Sequence, residues 1–204
     1  MKLEERLKEI LRTEAEAVLR IPITDQYAKA VEIIVEHVNH RGGKLITSGM
    51  GKAGQIALNM ATTFSSTGTP AIFLHPAEAQ HGDLGIMQKN DVMLLLSNSG
   101  KTREILELVV LARRLNPQTP MIVLTGDPDS QLAAEADVAL FTADVPEVCP
   151  LGLTPTTSTT MMTVIGDLLV VSVMEAIGFT ASEYARRHHG GYLGHLSKQA
   201  AEED

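Results

Sequence analysis

Apolar residues recur at helical spacing at the start of the chain, at Leu3, Leu7, Ile10, Leu11, Val18 and Leu19, which predicts an amphipathic helix over 3–19. Ile21-Pro22 ends it, because proline cannot continue the hydrogen-bonded turn. Thr24 and Asp25 are candidate caps for a second helix with Val31, Ile34, Val35 and Val38 on one face, closed by Arg41-Gly42-Gly43. The pattern then changes. Short apolar runs, Lys44–Thr47, Ala71–Leu74, Val92–Leu96, Met121–Leu124 and Val138–Phe141, alternate with helical stretches near 52–66, 101–115 and 129–135. Strands alternating with helices imply βαβ units, so the expectation is one α/β domain: a doubly wound, five-stranded, mostly parallel sheet flanked by helices. A proline-containing loop from Ala143 to Pro155 precedes a long helix near Thr157–Ile177 and a short one near Ser182–Arg187. Within 1–204 the expected parts are N-terminal helices (1–40), a core (41–195) that ends in a glycine-broken stretch from His188, and a polar tail (196–204), with no repeat or linker.

Composition narrows the function. Seventeen Lys and Arg face 25 Asp and Glu, a net charge of −8, which disfavours nucleic acid or an anionic membrane as partner. Trp is absent, and four Phe and three Tyr give no stacking platform for single strands. A small anion stays compatible, since one positive pocket can sit in an acidic shell. The single cysteine, Cys149, excludes an intrachain disulfide and a cysteine-cluster metal site and fits a reducing compartment. The N-terminus has no apolar h-region and no apolar run approaches membrane-spanning length, so a cytoplasmic location is the expectation.

In open parallel sheets ligands bind outside the carboxyl ends of the strands. Three loops there are polar: Ser48-Gly-Met-Gly-Lys52-Ala-Gly54, Ser97-Asn98-Ser99-Gly100-Lys101-Thr102 and Thr125-Gly126-Asp127. Gly49, Gly51 and Gly54 form a GxGxxG string, but no carboxylate ends the second strand (Phe73-Leu74-His75-Pro76), so a dinucleotide is disfavoured and no cofactor is expected. The glycines can equally serve only a tight turn. Lys52 tilts the balance, because a lysine in such a turn can meet a substrate oxygen. Ser97, Ser99 and Thr102 with the amides of Gly100 and Lys101 offer an anion cradle before a helix. Ordinary turn chemistry explains them as well. A second hydroxyl cluster, Thr154 and Thr156 to Thr160, precedes the long helix. Together the three features favour phosphate.

Longer strings carry a resemblance: SGMGKAG (48–54), FSSTGTPAIFLHPAEAQHGDLG (64–85), SNSGKTREIL (97–106), PEVCPLGLTPTTSTT (146–160) and HHGGYLG (188–194). Over residues 40–195 the chain resembles the sugar isomerase (SIS) domain, a flavodoxin-like fold, of the D-arabinose-5-phosphate isomerases. The resemblance implies interconversion of ribulose 5-phosphate and arabinose 5-phosphate, feeding synthesis of the octulosonate sugar Kdo for lipopolysaccharide or capsule. It implies catalytic positions at Lys52, Glu104, Glu147 and His188. The substrate-binding set expected with them is Ser48, Gly49, Gly51, Thr69, His75, His81, Ser97, Asn98, Ser99, Thr102 and Thr156. It also implies a homo-oligomer, a tetramer, with active sites shared between subunits. The chain stops about ten residues past GGYLG, where typical members continue into paired CBS modules. Its serine loop is more basic than is usual, and it reads His188-His189-Gly-Gly in place of His-Pro-Gly-Gly.

Aldose–ketose isomerisation needs a base, polarisation of the carbonyl oxygen and a shuttle for hydroxyl protons. The apolar neighbours Val145, Pro146, Val148 and Pro150 are expected to raise the Glu147 pKa and make it the base, with Glu104 the runner-up. Lys52 would stabilise the enediolate, and His188 would shuttle a proton. His75 and His81 could hold an inhibitory zinc, although substrate contacts or capping explain them better. Cys149 reads as a packing residue. The competing functions are a non-catalytic sugar-phosphate sensor, disfavoured by acidic N-terminal helices, and an SIS isomerase of hexose or heptose phosphates.

Overall fold

The computed structural model describes residues 2–203. Five strands, β1 (Leu45–Gly49), β2 (Ala71–Phe73), β3 (Val92–Leu96), β4 (Met121–Thr125) and β5 (Val138–Phe141), form one all-parallel sheet in the order β2-β1-β3-β4-β5. β1, β3 and β4 are buried along their whole length, as near-continuous apolar runs in a doubly covered sheet must be.

Period-two alternation sorts the strand side chains into two layers. Leu45, Leu94, Leu96, Ile122 and Leu124 face one layer, with residues of α1 (Leu3–Leu19), α2 (Gln26–Ile34), α3 (Gly51–Ser66) and α7 (Thr157–Ala176). Ile46, Met93, Leu95, Met121 and Val123 face the other, with α4 (Pro76–Ala79), α5 (Arg103–Leu115) and α6 (Gln131–Ala134). α7 is the core helix of the first layer: Met161, Ile165, Leu169 and Val173 are buried, and Gly166 lets Met60 of α3 approach. α2 runs on into a π-helical segment, Val35–His40.

One expectation changes. Residues after His189 form a helix, α9 (Gly191–Glu203), packed on α8 (Ala181–Ala185), in place of a loose polar tail. The glycines make this junction: Gly191 takes φ +70°, and a Cβ on Gly194 would lie 2.7 Å from the His188 carbonyl oxygen. The apolar stripe of α1 is largely exposed. Leu3, Leu7, Leu11 and Leu19 are all more than half exposed on the single chain. α1 is held by Arg6 Nη2, which donates to the Val148 carbonyl (2.9 Å), and by the Thr160 hydroxyl, which donates to Glu14 (3.4 Å).

Candidate active site

The β1–α3 turn is built by close backbone approach. A Cβ on Gly54 would sit 2.6 Å from the Gly49 carbonyl oxygen, one on Gly49 would sit 2.9 Å from the Ala53 backbone, and Gly51 takes φ +57°. Two of the three glycines therefore seat the helix against the strand. Ser48 is fully buried and its hydroxyl donates to the Leu74 carbonyl at 2.6 Å, which ties the end of β1 to the segment after β2. Lys52, the second residue of α3, is exposed and has no ion-pair partner among the described residues.

The serine loop is pinned to the loop after β4. The Asn98 carbonyl accepts from Gly126 N (2.9 Å) and Thr125 Oγ1 (3.2 Å), and Lys101 pairs with Asp127 at 3.0 Å. That lysine holds the Asp127 carboxyl below its ordinary range. Gly100 takes φ +60°, and any side chain there would collide with Ser130. Within the loop, Ser97 and Thr102 share a 2.7 Å hydrogen bond, while Asn98 and Ser99 are exposed.

A cleft of about 250 Å³ lies between these loops and the start of α7, lined by Lys52, Asn98, Ser99, Thr102, Ser158 and Thr159 among others. The first turns of α3, α5 and α7 converge on it. The N-termini of α3 and α5 and one lysine favour an anion, because a helix N-terminus carries unpaired N–H groups and about half a positive charge, whereas at the start of α7 the amides of Thr156 and Ser158 already donate to Glu147.

Glu147 and Glu104 are not lining residues, yet each adjoins one. The Glu147 carboxylate caps α7: Oε2 accepts from Thr156 N (2.7 Å), Thr156 Oγ1 (2.9 Å) and Ser158 N (3.3 Å), and Oε1 accepts from the Ser158 hydroxyl. Burial pushes its pKa up, but these bonds outweigh burial, the Ser158 hydroxyl foremost, and the pKa lies below the ordinary 4.5. The expected rise is thus corrected: the apolar neighbours in sequence are not what surrounds the carboxylate. Glu104, two residues past Thr102, is half-buried, and no hydrogen bond or ion pair holds its side chain among the described residues.

His188 follows α8. Its ring stacks on Tyr184 (3.7 Å between centroids, 8° between planes), and its Nδ1 lies 3.0 Å from the Tyr184 carbonyl. A carbonyl only accepts, so Nδ1 carries the proton and Nε2 is free as an acceptor. His188 does not line the Lys52 cleft. Its neighbour Arg187 lies beside Leu58, Thr62 and Ser66 of α3, and Thr62 is about 15 Å along the helix from Lys52 at 1.5 Å per residue.

Other expected contacts separate from the cleft. Thr69 is buried two residues before β2, at the amino edge of the sheet, opposite the cleft. The hydroxyls of Thr156 and Ser158 are both used on Glu147, and of the first turn of α7 it is Ser158 and Thr159 that line the cleft. His75 precedes α4 with its ring edge-on to Phe73, and His81 is exposed. No third metal-ligating side chain joins them among the described residues. Cys149 is half-exposed and organises the loop: Thr154 N (3.1 Å) and Leu153 N (3.3 Å) donate to its sulfur and lower its pKa to about 7, against burial. Asp127, Ser158 and Thr159 lie outside the expected site set. Helical spacing after Thr157 could have pointed to the last two.

The SIS domain family matches residues 39–172. The chain belongs to that family. It is 45% identical over 188 residues to the arabinose 5-phosphate isomerase KdsD of Escherichia coli K12, covering 92% of this chain and 56% of the relative. The chain thus spans about half the length of the curated relatives it matches. Among solved structures it is 64% identical (TM-score 0.92, 94% of this chain and 100% of the other) to a Bacteroides fragilis protein described as a phosphosugar isomerase involved in capsule formation. It is 33% identical (TM-score 0.84, 92% and 100% covered) to an Escherichia coli CFT073 protein in complex with arabinose 5-phosphate.

Proposed function

We propose that this SIS domain is an aldose–ketose isomerase that interconverts D-ribulose 5-phosphate and D-arabinose 5-phosphate through an enediol. The observation that carries the reading is the convergence of the α3 and α5 N-termini, Ser99, Thr102 and Lys52 on one small cleft. The phosphate is held there by N-terminal amides and hydroxyls, contacts made equally in ground and transition states. Lys52 stabilises the charge that develops on the substrate oxygen as the enediolate forms. Glu104 is the C1/C2 base, because its carboxylate is unengaged, while the four donors on Glu147 assign it to holding the α7 turn that carries Ser158 and Thr159. The base takes the proton from C2 of the aldose and returns it to C1, so no redox cofactor is needed.

His188 acts from a neighbouring subunit of a homo-oligomer, a tetramer, where its free Nε2 moves a hydroxyl proton in ring opening. The distance of its helix from Lys52 within one chain supports this, as do the exposed leucines of α1 and α9. The relatives' names, arabinose 5-phosphate isomerase and a phosphosugar isomerase involved in capsule formation, support a role supplying arabinose 5-phosphate to Kdo, for lipopolysaccharide or capsule. The test is a panel of pentose, hexose and heptose phosphates offered to chelator-treated protein. Turnover confined to the pentose pair is the expected result; turnover only of a longer sugar, or none, rejects the substrate assignment.

A further inference from the structure

The largest cavity, about 550 Å³, lies at the opposite edge of the sheet, among the connections that lead into β1, β3 and β4. Its wall includes His37, Lys89, Asn90, Leu115, Gln118 and Thr119. Five-residue strands span roughly 16 Å, so this cleft is separate from the one that holds Lys52.

Its wall is built rather than incidental. Asp91, fully buried, accepts from Lys44 N (2.9 Å), Lys44 Nζ (2.7 Å) and Gln88 N (2.7 Å), tying the loop before β3 to the start of β1. Asn90 takes φ +75°, the one positive φ of a non-glycine among the described residues, and donates from Nδ2 to the Arg41 carbonyl at 3.0 Å. Gly43 is pressed against it, and a Cβ there would sit 2.1 Å from the Asn90 carbonyl oxygen. The π-helical segment places His37 on this wall.

Two lining groups lack partners. The hydroxyl of Thr119, a residue 1% exposed, makes no hydrogen bond, and neither does the buried Nδ1 of His37. Buried polar atoms are normally satisfied, by protein, water or ligand, because an unmade bond costs the desolvation of the group. The charges are unequally balanced. Arg41 is paired with Glu36 and Asp91 with Lys44, whereas the Lys89 ammonium has no acidic partner among the described residues. We infer that this cleft is a second binding site, for a small hydroxylated anion. Lys89 meets its charge, Thr119 and His37 meet its hydroxyls, and Leu115 and Pro120 cover its carbon chain.

Saturation-transfer difference NMR with gluconate and with glycerol 3-phosphate tests this, one probe carrying a carboxylate and the other a phosphate. The protein is compared with Lys89→Met, Thr119→Val and Ser99→Ala. Lys89→Met alters an exposed side chain and is expected to fold normally. Saturable signals from at least one probe should survive Ser99→Ala, weaken about tenfold or more in Lys89→Met, as loss of a charge-assisted contact does, and weaken in Thr119→Val. No signal from either probe, signals unchanged in Lys89→Met, or signals abolished by Ser99→Ala would each overturn the inference. The last result assigns the probe to the serine loop, so this inference and the proposed isomerase reading fail separately.

Discussion

Glu147→Gln and Glu104→Gln are isosteric and remove the same charge, but the structure assigns them opposite consequences. At position 147 the carboxylate accepts four hydrogen bonds at the N-terminus of a 20-residue helix. Making these neutral removes about half the strength of each, and the favourable interaction with the helix dipole is lost too. The sum is roughly 2–4 kcal/mol, or about 5–15 °C in Tm for a chain of this size. The same carboxylate titrates below its ordinary 4.5 in the folded state. Its contribution is therefore present above the unfolded pKa and lost as pH falls through the folded one, so the gap between wild type and Glu147→Gln should narrow as pH falls below 4.5. Glu104→Gln, with no partner to lose, should move stability within about 0.5 kcal/mol. Its kcat should fall by on the order of 10²-fold or more, as for loss of a general base. Glu147→Gln should keep turnover within about tenfold where it is folded. The assays are thermal melts at pH 7 and pH 4 beside steady-state kinetics. An unchanged Tm with a collapsed kcat in Glu147→Gln, beside an active Glu104→Gln, would show that the two roles are reversed.

Two further perturbations follow from the geometry. Gly54→Ala puts a methyl 2.6 Å from the Gly49 carbonyl oxygen, a backbone atom; it should cost roughly 1–3 kcal/mol, read by denaturant melts, and a neutral effect would contradict the close approach. Co-expressed inactive Lys52→Ala and His188→Ala chains should regain part of the activity in mixed oligomers, since some sites then draw both residues from intact sources. Mixed oligomers that form and stay dead would rule out a shared site.

All five strands and the parallel topology were legible from apolar runs alternating with helical periods, because a doubly covered sheet leaves that pattern undiluted. The serine loop and Lys52 were legible from turn chemistry at strand ends. What escaped depends on distant contacts. The residues beside Glu147 in the chain are apolar, but its oxygens meet Thr156 and Ser158, and a capping carboxylate has the opposite pKa shift from a buried one. Thr69 sits in a string that resembles the isomerases, yet it enters β2 from the amino edge. α9 was hidden by Gly190, Gly191 and Gly194, which break a helical pattern in sequence and make close packing in space.

The central claim is that this cleft passes a pentose phosphate through an enediol. Ribulose 5-phosphate should be incubated with the protein in deuterium oxide and the arabinose 5-phosphate formed examined by proton NMR. Proton transfer by a solvent-exchanging carboxylate predicts arabinose 5-phosphate with deuterium at C2, formed by wild type and lost in Glu104→Gln. Absence of any arabinose 5-phosphate from folded protein would contradict the account, as would undiminished deuterium incorporation in the Glu104→Gln protein.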